Sequence, residues 1–301
     1  MTNRRRWVLL LVALPPLSGC DSGTGPNAVG LIPAPGSPIA VGVGAHSAAI
    51  GDLDHDGAAD LVVANAQSDS LAVLLGNGDG TFQAPLRLAA GNEPRHVFIA
   101  DLNGDGDPDL VMANAESNNV GALLGNGDGT FQAQRSSLTG RFPMRLAVGD
   151  LDSDGTSDLA VAAYFSGASV LLSNSDGTFK DERVIAGGQG VSAVAVADLN
   201  GDGFLDVVAV NSQFNQLAIL LGNGHGTFDI EPLVDLGSQP TAAAIADYNR
   251  DGVPDLAVTN GFSFDVAILL GQGDGSFRVP GSATVCRATE PPCRHGGGSG
   301  R

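Results

Sequence analysis

Five nine-residue segments carry aspartates at a spacing that suits a bound cation. Each follows the pattern D-x-[DN]-x-D-G-x-x-D, and the segments start at Asp52, Asp101, Asp150, Asp198 and Asp247. Positions 1, 3 and 5 alternate along the chain, so their side-chain oxygens can point inward at one ion. Glycine at position 6 permits a sharp backbone turn, and the carboxylate at position 9 would close the site.

The ligand chemistry of these segments favours calcium. They resemble the start of an EF-hand loop and offer only oxygen ligands, which suit calcium better than magnesium and do not suit zinc. An Asp-rich turn that bonds only its own backbone is the alternative, but two carboxylates about 4 Å apart repel by about 4 kcal/mol at an effective dielectric of about 20. We therefore predict about five structural calcium ions, held by Asp52, Asp54, Asp56, Asp60, Asp101, Asn103, Asp105, Asp109, Asp150, Asp152, Asp154, Asp158, Asp198, Asn200, Asp202, Asp206, Asp247, Asn249, Asp251 and Asp255.

The charge of the whole chain agrees with bound cations. The 301 residues include 33 acidic and 15 basic side chains, which gives a net charge of −18. Such an excess of negative charge argues against nucleic acid as a partner. The hydrophobic content of 43% is enough for one large folded domain with a core.

A second string repeats with the same step. "LLGNGDGTF" occupies residues 74–82 and 123–131, and variants of it begin at residues 171, 220 and 269. The steps of 49, 49, 48 and 49 residues between the aspartate segments indicate a solenoid or a propeller. In the second repeat, the runs "HVFIADL", "DLVMANA", "NVGALLG" and "FQAQRSSL" predict four short strands and no helix. The predicted fold is an all-β propeller of about five four-stranded blades.

The repeat also resembles a known family. The stretch "ADLNGDGDPDLVMANAESNNVGALLGNGDGTF" is similar to the FG-GAP and VCBS repeats of integrin alpha-subunit propellers and of many bacterial surface proteins. The resemblance covers roughly residues 39–280 and implies a propeller. The best-known propellers of the family have about seven blades, so a closed five-bladed ring, an incomplete ring and a ring completed by a partner are all open at this point.

Two segments compete for the last outer strand. "SPIAVGVG" at residues 37–44 precedes the first complete repeat and has the character of a fourth strand, so it could close the last blade. "RVPGSATVC" at residues 278–286 could supply the same strand. We set the propeller domain at residues 38–285 and predict a disordered tail at 286–301, with Cys286 and Cys293 either paired or free.

The N-terminal residues predict export and a lipid anchor. Residues 1–19 combine three arginines with a short apolar run, as in a secretory signal peptide. The last residues before Cys20 resemble the lipobox of bacterial lipoproteins, which implies cleavage and acylation at Cys20; ordinary secretion is the alternative. Residues 20–37 are rich in Gly, Pro and Ser and predict a flexible tether. The protein is therefore expected in the bacterial cell envelope, at the periplasmic side or the cell surface.

The predicted blade topology places variable loops on the face opposite the calcium loops. Variable loops on a constant scaffold are where binding residues usually lie. The candidates on this face are His46, Arg95, His96, Arg145, Tyr164, Phe214 and Phe262. They favour a binding or adhesion module for a protein or a glycan. A glycan hydrolase or lyase acting in the axial cleft is the alternative, with Glu93, His46 and His96 as its candidates, but no repeat carries an obvious catalytic pair and no nucleophile motif is present.

Overall fold

The computed structural model describes residues 37–278, which form 21 strands in five antiparallel sheets. Each sequence repeat forms one sheet, so the predicted five-bladed β-propeller is confirmed. In the described part of the chain, no helix has the length and hydropathy of a membrane span. The predicted signal peptide, Cys20, the C-terminal cysteines and nearly all of the tether lie outside the described residues.

Blades 1 to 3 each contain four strands that pair in sequence order. Blade 1 contains β1 Ala45–Gly51, β2 Asp60–Asn65, β3 Ser70–Leu74 and β4 Leu86–Ala89. Blade 2 contains β5 Pro94–Ala100, β6 Asp109–Asn114, β7 Asn119–Leu123 and β8 Arg135–Leu138. Blade 3 contains β9 Pro143–Gly149, β10 Asp158–Ala163, β11 Gly167–Leu171 and β12 Arg183–Gly187.

Blades 4 and 5 differ from the others at their outer edges. Blade 4 contains β13 Val191–Ala197, β14 Asp206–Asn211, β15 Gln216–Gly222 and two short outer strands, β16 Phe228–Ile230 and β17 Val234–Asp235. Blade 5 contains β18 Pro240–Ala246, β19 Asp255–Asn260, β20 Asp265–Gly271 and β21 Phe277–Arg278. The two-residue β21 is the fourth strand that the described residues supply to blade 5.

The phenylalanine of each "LLGNGDGTF" string has a packing role. The run "FQAQRSSL" predicts an outer strand that starts at Phe131, but β8 starts at Arg135 and Phe131 forms only an isolated bridge with Gly125. The Asp-Gly turn between Gly125 and Phe131 forms a tight hairpin, and the outer strand pairs with the third strand only after this hairpin is complete. The ring of Phe131 packs in the apolar layer between blades 1 and 2.

Apolar layers between successive blades form the core. The middle strands are almost fully buried because each lies between two neighbouring sheets, and their residues are mostly Val, Leu and Ala. Separate buried clusters join blade 1 to blade 2, 2 to 3, 3 to 4 and 4 to 5. The innermost strands contact one another in the order β1, β5, β9, β13 and β18.

Every inner strand begins with a β-bulge. The pairing register of β1 with β2 shifts between Ala45 and Ser47, and that of β5 with β6 shifts between Pro94 and His96. The same irregularity occurs in the inner hairpins of the other three blades. A bulge re-aims the side chain of the extra residue, which in blade 1 is His46. The candidate residues at the starts of the inner strands therefore owe their directions to this repeated bulge.

The segment "SPIAVGVG" lies against blade 1. Ile39 and Val41 pack on the face of blade 1 that points away from blade 2. The carbonyl oxygen of Val41 accepts hydrogen bonds from Asn65 Nδ2 at 3.1 Å and from Arg87 Nη1 at 2.9 Å. Within residues 37–278, β20 pairs with β19 and β21 and with no part of this segment. The rival segment lies outside the described residues beyond Arg278.

Blades 1 and 5 do not meet as the other blades do. In the described part of the chain, β18 and β1 form no inner-strand contact comparable to those between successive blades. Ile50 of β1 is accordingly 53% exposed, although its equivalent in β5, Ile99, packs in a layer between blades. The described residues form an arc of five blades.

The aspartate at position 9 of each segment joins two loops of its own blade. Asp109 is fully buried, and its Oδ2 and Oδ1 accept hydrogen bonds from the backbone N–H groups of Leu102 at 2.8 Å and Gly125 at 2.7 Å. The other four blades repeat this pair of bonds. One carboxylate therefore satisfies two backbone donors and fixes the aspartate loop against the hairpin after the third strand.

We expect Asp109→Asn to destabilise the protein. An amide can accept only one of the two N–H bonds, and its own NH₂ group would face the other donor, so the free energy of unfolding should fall by about 2–4 kcal/mol. Urea denaturation in excess chelator measures this effect without any contribution from bound metal. Asp181→Asn, at an exposed position of the same charge, is the control. Equal stability of the two variants would contradict the structural role of Asp109.

Candidate functional site

The all-aspartate loops of blades 1 and 3 bring three carboxylates together. In each of two groups the ligand oxygens lie within 4.8 Å of one another, and the groups are Asp52, Asp54 and Asp60, and Asp150, Asp152 and Asp158. In each group one buried oxygen, Oδ1 of Asp52 or Oδ1 of Asp152, has no hydrogen-bond partner among the described residues. A buried carboxylate oxygen without a donor is costly, and a cation would satisfy it. These two loops therefore fit a hard divalent cation.

The loops of blades 2, 4 and 5 have asparagine at position 3 and are bonded differently. Nδ2 of Asn103 donates to Oδ2 of Asp105 at 2.7 Å, and the equivalent asparagines of blades 4 and 5 make the same bond to position 5. The amide thus offsets part of the negative charge that a cation offsets in the other loops. The sequence pattern treats all five loops alike, but the structure separates them into two classes.

The backbone of all five loops has the turn that the sequence predicts. The glycines at position 6 have φ between +86° and +90°, a region that side chains rarely adopt. Position 4 is also left-handed, even where it is His55, Ser153 or Arg250. The position-1 carboxylate accepts the N–H of the position-6 glycine, for example Gly106 to Asp101 Oδ2 at 3.0 Å. The loops are therefore already shaped around the position-1 carboxylate.

The electrostatics of the loops reflect crowded acids. The pKa of Asp109 and of Asp158 is raised to about 6, mainly by burial and in smaller part by the neighbouring aspartates of their loops. Burial likewise raises the pKa of Asp60 and Asp206. The nearby cationic groups are few: Lys180 Nζ lies 3.6 Å from Asp152 Oδ2. A bound cation would lower these pKa values, because it favours the ionised form.

The "LLGNGDGTF" string forms a hairpin that needs no ligand. Asp79 Oδ1 accepts bonds from the N–H and Oγ1 of Thr81 at 2.9 and 2.6 Å, and these bonds lower the pKa of Asp79. A Cβ at Gly76 would collide with the carbonyl oxygen of Ala59, so glycine is required where the hairpin approaches the aspartate loop. In the fourth copy of the string, His225 occupies the position of Asp79. The string is therefore a structural hairpin.

Hydrogen bonds between blades order the face of the propeller that lies opposite the aspartate loops. In blades 2, 3 and 5 the residue before the inner strand donates its N–H to a side chain on the loop between the second and third strands of the preceding blade, and in blade 4 Gly190 donates to the backbone carbonyl oxygen of Tyr164 at 2.7 Å. Glu93 donates to Asp69 Oδ1 at 2.8 Å, and Phe142 donates to Asn118 Oδ1 at 2.9 Å. Gln239 makes the same bond to the loop of blade 4. This variable face, which we call the loop face, is therefore held rigidly although its residue types differ between blades.

Four of the predicted ligand residues come together at the inner ends of blades 1 to 3. His46 Nδ1 lies 2.8 Å from the carbonyl oxygen of Arg95, and His96 Nδ1 lies 3.3 Å from the N–H of Leu146. Burial lowers the pKa of both histidines most, and the charge of Arg145 lowers it further, although His46 belongs to blade 1 and Arg145 to blade 3. The inner strands thus direct residues of three blades toward one place.

Aromatic rings lie beside this group. The guanidinium of Arg95 lies 4.7 Å from the ring centre of Phe142, and Arg141 lies 5.7 Å from that of Phe165. Phe165 also contacts Phe142 and Tyr164, with ring centres 5.7 and 5.1 Å apart. Sequence reasoning missed Phe142. The sequence could have identified Phe142, because it aligns with Glu93, the residue before the inner strand of the preceding repeat.

The remaining predicted ligand residues stand apart from this cluster. Phe214 and Phe262 are 57% and 69% exposed on the corresponding loops of blades 4 and 5. They extend the aromatic character of the loop face to all of the last three blades. Their exposure makes them available for contact with a partner.

The candidates for catalysis are engaged in other bonds. Both Nε and Nη2 of Arg95 donate to Oε1 of Glu93, at 2.9 and 2.5 Å. Neither His46 nor His96 forms a hydrogen bond to an acid in the described residues. The geometry therefore joins Glu93 to an arginine, and it joins each histidine to the backbone.

Comparison with known families decides the identity of the repeat. A model of the FG-GAP-like repeat matches residues 52–112, 101–161, 150–209 and 198–258, and a model of the FG-GAP repeat matches residues 240–279. The chain belongs to the FG-GAP repeat family. No curated protein matches the chain.

Solved structures with similar folds have low sequence identity to this FG-GAP chain. A lectin of Agrocybe aegerita that recognises non-reducing terminal N-acetylglucosamine is 22% identical, with a TM-score of 0.58 over 80% of this chain and 66% of the lectin. BBS1N, solved in complex with ARL6DN, is 15% identical, with a TM-score of 0.58 over 81% and 71%. A functionally unknown protein from Desulfotomaculum acetoxidans is 14% identical, with a TM-score of 0.60 over 81% and 71%. The chain thus spans about two thirds to seven tenths of these neighbours, which share its fold.

Proposed function

We propose that this FG-GAP propeller is a calcium-stabilised, lipid-anchored module of the bacterial cell envelope that binds a protein or a glycan. The observation that carries the proposal is the division of the molecule into two faces. One face repeats the same aspartate loop five times, whereas the loop face is rigid but differs in residue type from blade to blade. A constant scaffold with a variable, ordered face is typical of a recognition module.

Calcium serves as a structural ion in this proposal. The buried, unpartnered oxygens of Asp52 and Asp152 support cation sites in blades 1 and 3, and oxygen ligands on a flexible loop suit calcium. Residues at positions 1, 3 and 9 would hold the ion, which supplies charge compensation and links the loop to the inner sheet. Loops of the asparagine class would bind it more weakly, because they offer one carboxylate fewer.

We expect Asp54→Asn to reduce stabilisation by calcium without harming the calcium-free protein. The change converts the loop of blade 1 to the class of blades 2, 4 and 5, where Asn103 bonds the position-5 aspartate. If the dissociation constant rises from about 0.1 to about 1 mM, the stabilisation at about 1 mM calcium falls by about 1 kcal/mol. Urea unfolding with calcium and with chelator measures both values.

Asn103→Asp is the matched reverse variant. It should gain stabilisation from calcium and lose stability in chelator, because it adds a carboxylate to a crowded loop. Calcium-dependent stabilisation that is the same in the parent and both variants would contradict the assignment. An unchanged unfolding curve of the parent in excess chelator would remove calcium from the proposal.

Binding at the loop face is supported by its charged and aromatic residues. Arginine and aromatic side chains are enriched among the residues that dominate interfaces. The same fold carries glycan recognition in the Agrocybe aegerita lectin, which makes a glycan the first ligand class to test. The alternative of a glycan hydrolase or lyase is less well supported, because Glu93 is paired with Arg95.

We expect a glycan array to detect binding without turnover. Phe165→Ala should weaken binding about tenfold, since loss of an aromatic contact at an interface costs about 1–2 kcal/mol. The exposed Arg183→Gln on the outer strand of the same blade should have no effect. Cleavage of a bound glycan that disappears in His46→Ala or His96→Ala would instead establish the enzyme.

The lipid anchor rests on the sequence around Cys20. We expect the protein made in a bacterial host to incorporate a labelled fatty acid and to fractionate with membranes. Cys20→Ser should abolish both, since the thiol is the site of acylation, and Cys286→Ser is the control. Labelling that persists in Cys20→Ser would place the lipid elsewhere and contradict this part of the proposal.

A further inference from the structure

The inner strands of blades 1 to 3 bring two arginines and two histidines together on an otherwise acidic protein. We call His46, Arg95, His96 and Arg145 the axial mouth. His46 and Arg95 occupy the same bulged position in successive blades, and His96 and Arg145 occupy the next position in blades 2 and 3. The positive charge is therefore placed by the repeat itself, in a chain whose net charge is −18.

Arg145 lacks a counter-charge. Among residues 37–278, no acidic side chain lies within ion-pair distance of its guanidinium and no hydrogen bond from that group is formed. Burial lowers the pKa of Arg145, but the group stays charged because the pKa of arginine is far above neutral pH. The charge of Arg95 is balanced by Glu93. A partly desolvated cation without a partner favours the entry of an anion.

His96 supplies an oriented neutral donor. Burial, Arg145 and His46 lower the pKa of His96 to about 3, so its ring is neutral near pH 7. Its Nδ1 accepts the N–H of Leu146, so the ring proton must be on Nε2. The Nε2–H group has no described acceptor. A planar guanidinium and a neutral N–H donor near each other match the two oxygens of a carboxylate.

We propose that the axial mouth binds the carboxylate of an acidic sugar residue. Arg145 would donate to the carboxylate through two of its N–H groups, and His96 Nε2–H would donate a further bond. The rings of Phe142, Phe165 and Tyr164 lie beside the mouth, where they offer apolar surface to the C–H face of a sugar ring. This inference rests on the proposed function, whose ligand class it makes specific.

The pH dependence of binding follows from His46. The pKa of His46 is lowered by burial and by the charges of Arg95 and Arg145, whereas the hydrogen bond to the carbonyl oxygen of Arg95 and the charge of Glu93 oppose this shift; His96, close by, is neutral. A bound carboxylate offsets the arginine charges and raises the pKa of His46, so binding takes up a proton. Affinity for a sugar carboxylate should therefore rise as the pH falls from about 7 to about 5, where the carboxylate is still ionised.

The test uses pairs of glycans in which one member contains a uronic acid and the other contains the corresponding neutral hexose at the same position. We expect the uronate member to bind at least about tenfold more tightly, which corresponds to about 1.4 kcal/mol. Arg145→Gln should remove this preference. Arg183→Gln makes the same charge change on the outer strand of the same blade and should retain it. Thermal unfolding of both variants in calcium checks that they are folded.

The possible outcomes separate this inference from the proposed function. Equal binding of the uronate and hexose members would overturn the axial carboxylate site and leave a glycan-binding module. Binding of a polyglutamate peptide in place of uronates, lost in Arg145→Gln, would overturn the sugar assignment in favour of an acidic protein partner. If neither the uronates nor the peptide bind, the inference is refuted. The proposed function would then be decided separately, by comparing the binding of the parent protein and of Phe165→Ala to the other glycans of the array.

Discussion

The fold depends on one interaction that is repeated in every blade. The position-9 aspartate accepts two backbone N–H groups, one on each of its carboxylate oxygens. Asp109 accepts one backbone N–H from the aspartate loop and one from the hairpin after the third strand. Because both donors are buried, the carboxylate is required even without a metal. The same residue type in blades 1 and 3 also belongs to the carboxylate groups that fit a cation. Structural and metal-binding roles therefore meet in one side chain, which explains why the segment keeps an aspartate there in all five repeats.

This interaction also separates the two faces of the molecule. The aspartate loops and hairpins are tied together by the position-9 carboxylate, so the residue type at that position is constrained. The loop face is tied through backbone N–H groups donated to short polar side chains, such as Phe142 to Asn118. Only the N–H of the donating residue takes part in the bond, so its side chain can vary among types that tolerate the left-handed φ of this position, which is +54° to +62° in Glu93, Phe142 and Gln239. Glu93, Phe142 and Gln239 consequently occupy equivalent positions with different chemistry, and variation there does not disturb the blades.

The periodicity of the sequence was sufficient to predict the five blades, the four-strand pattern of every blade except blade 4, and the glycine turns. It was not sufficient to predict the difference between the two classes of aspartate loop, because an Asp-to-Asn change at Asn103 looks conservative until the amide is seen to bond Asp105. Nor did it predict where the axial residues point, since a β-bulge adds one residue and re-aims His46 and Arg95 without a sequence signature of its own. The sequence also did not predict that β8 starts four residues after Phe131, because the tight hairpin before this strand delays its pairing.

The axial mouth does not depend on how the propeller closes. Its residues come from β1, β5 and β9, which contact one another directly and share the two apolar layers of blades 1 to 3. Blades 4 and 5 extend the arc on the far side of blade 3 from this group. A partner or a further strand that joined blade 5 to blade 1 would change the surroundings of Ile50 but would leave the spacing of His46, His96 and Arg145 set by those layers. The residues of the axial mouth thus come from three adjacent blades, whereas Phe214 and Phe262 extend the loop face onto blades 4 and 5.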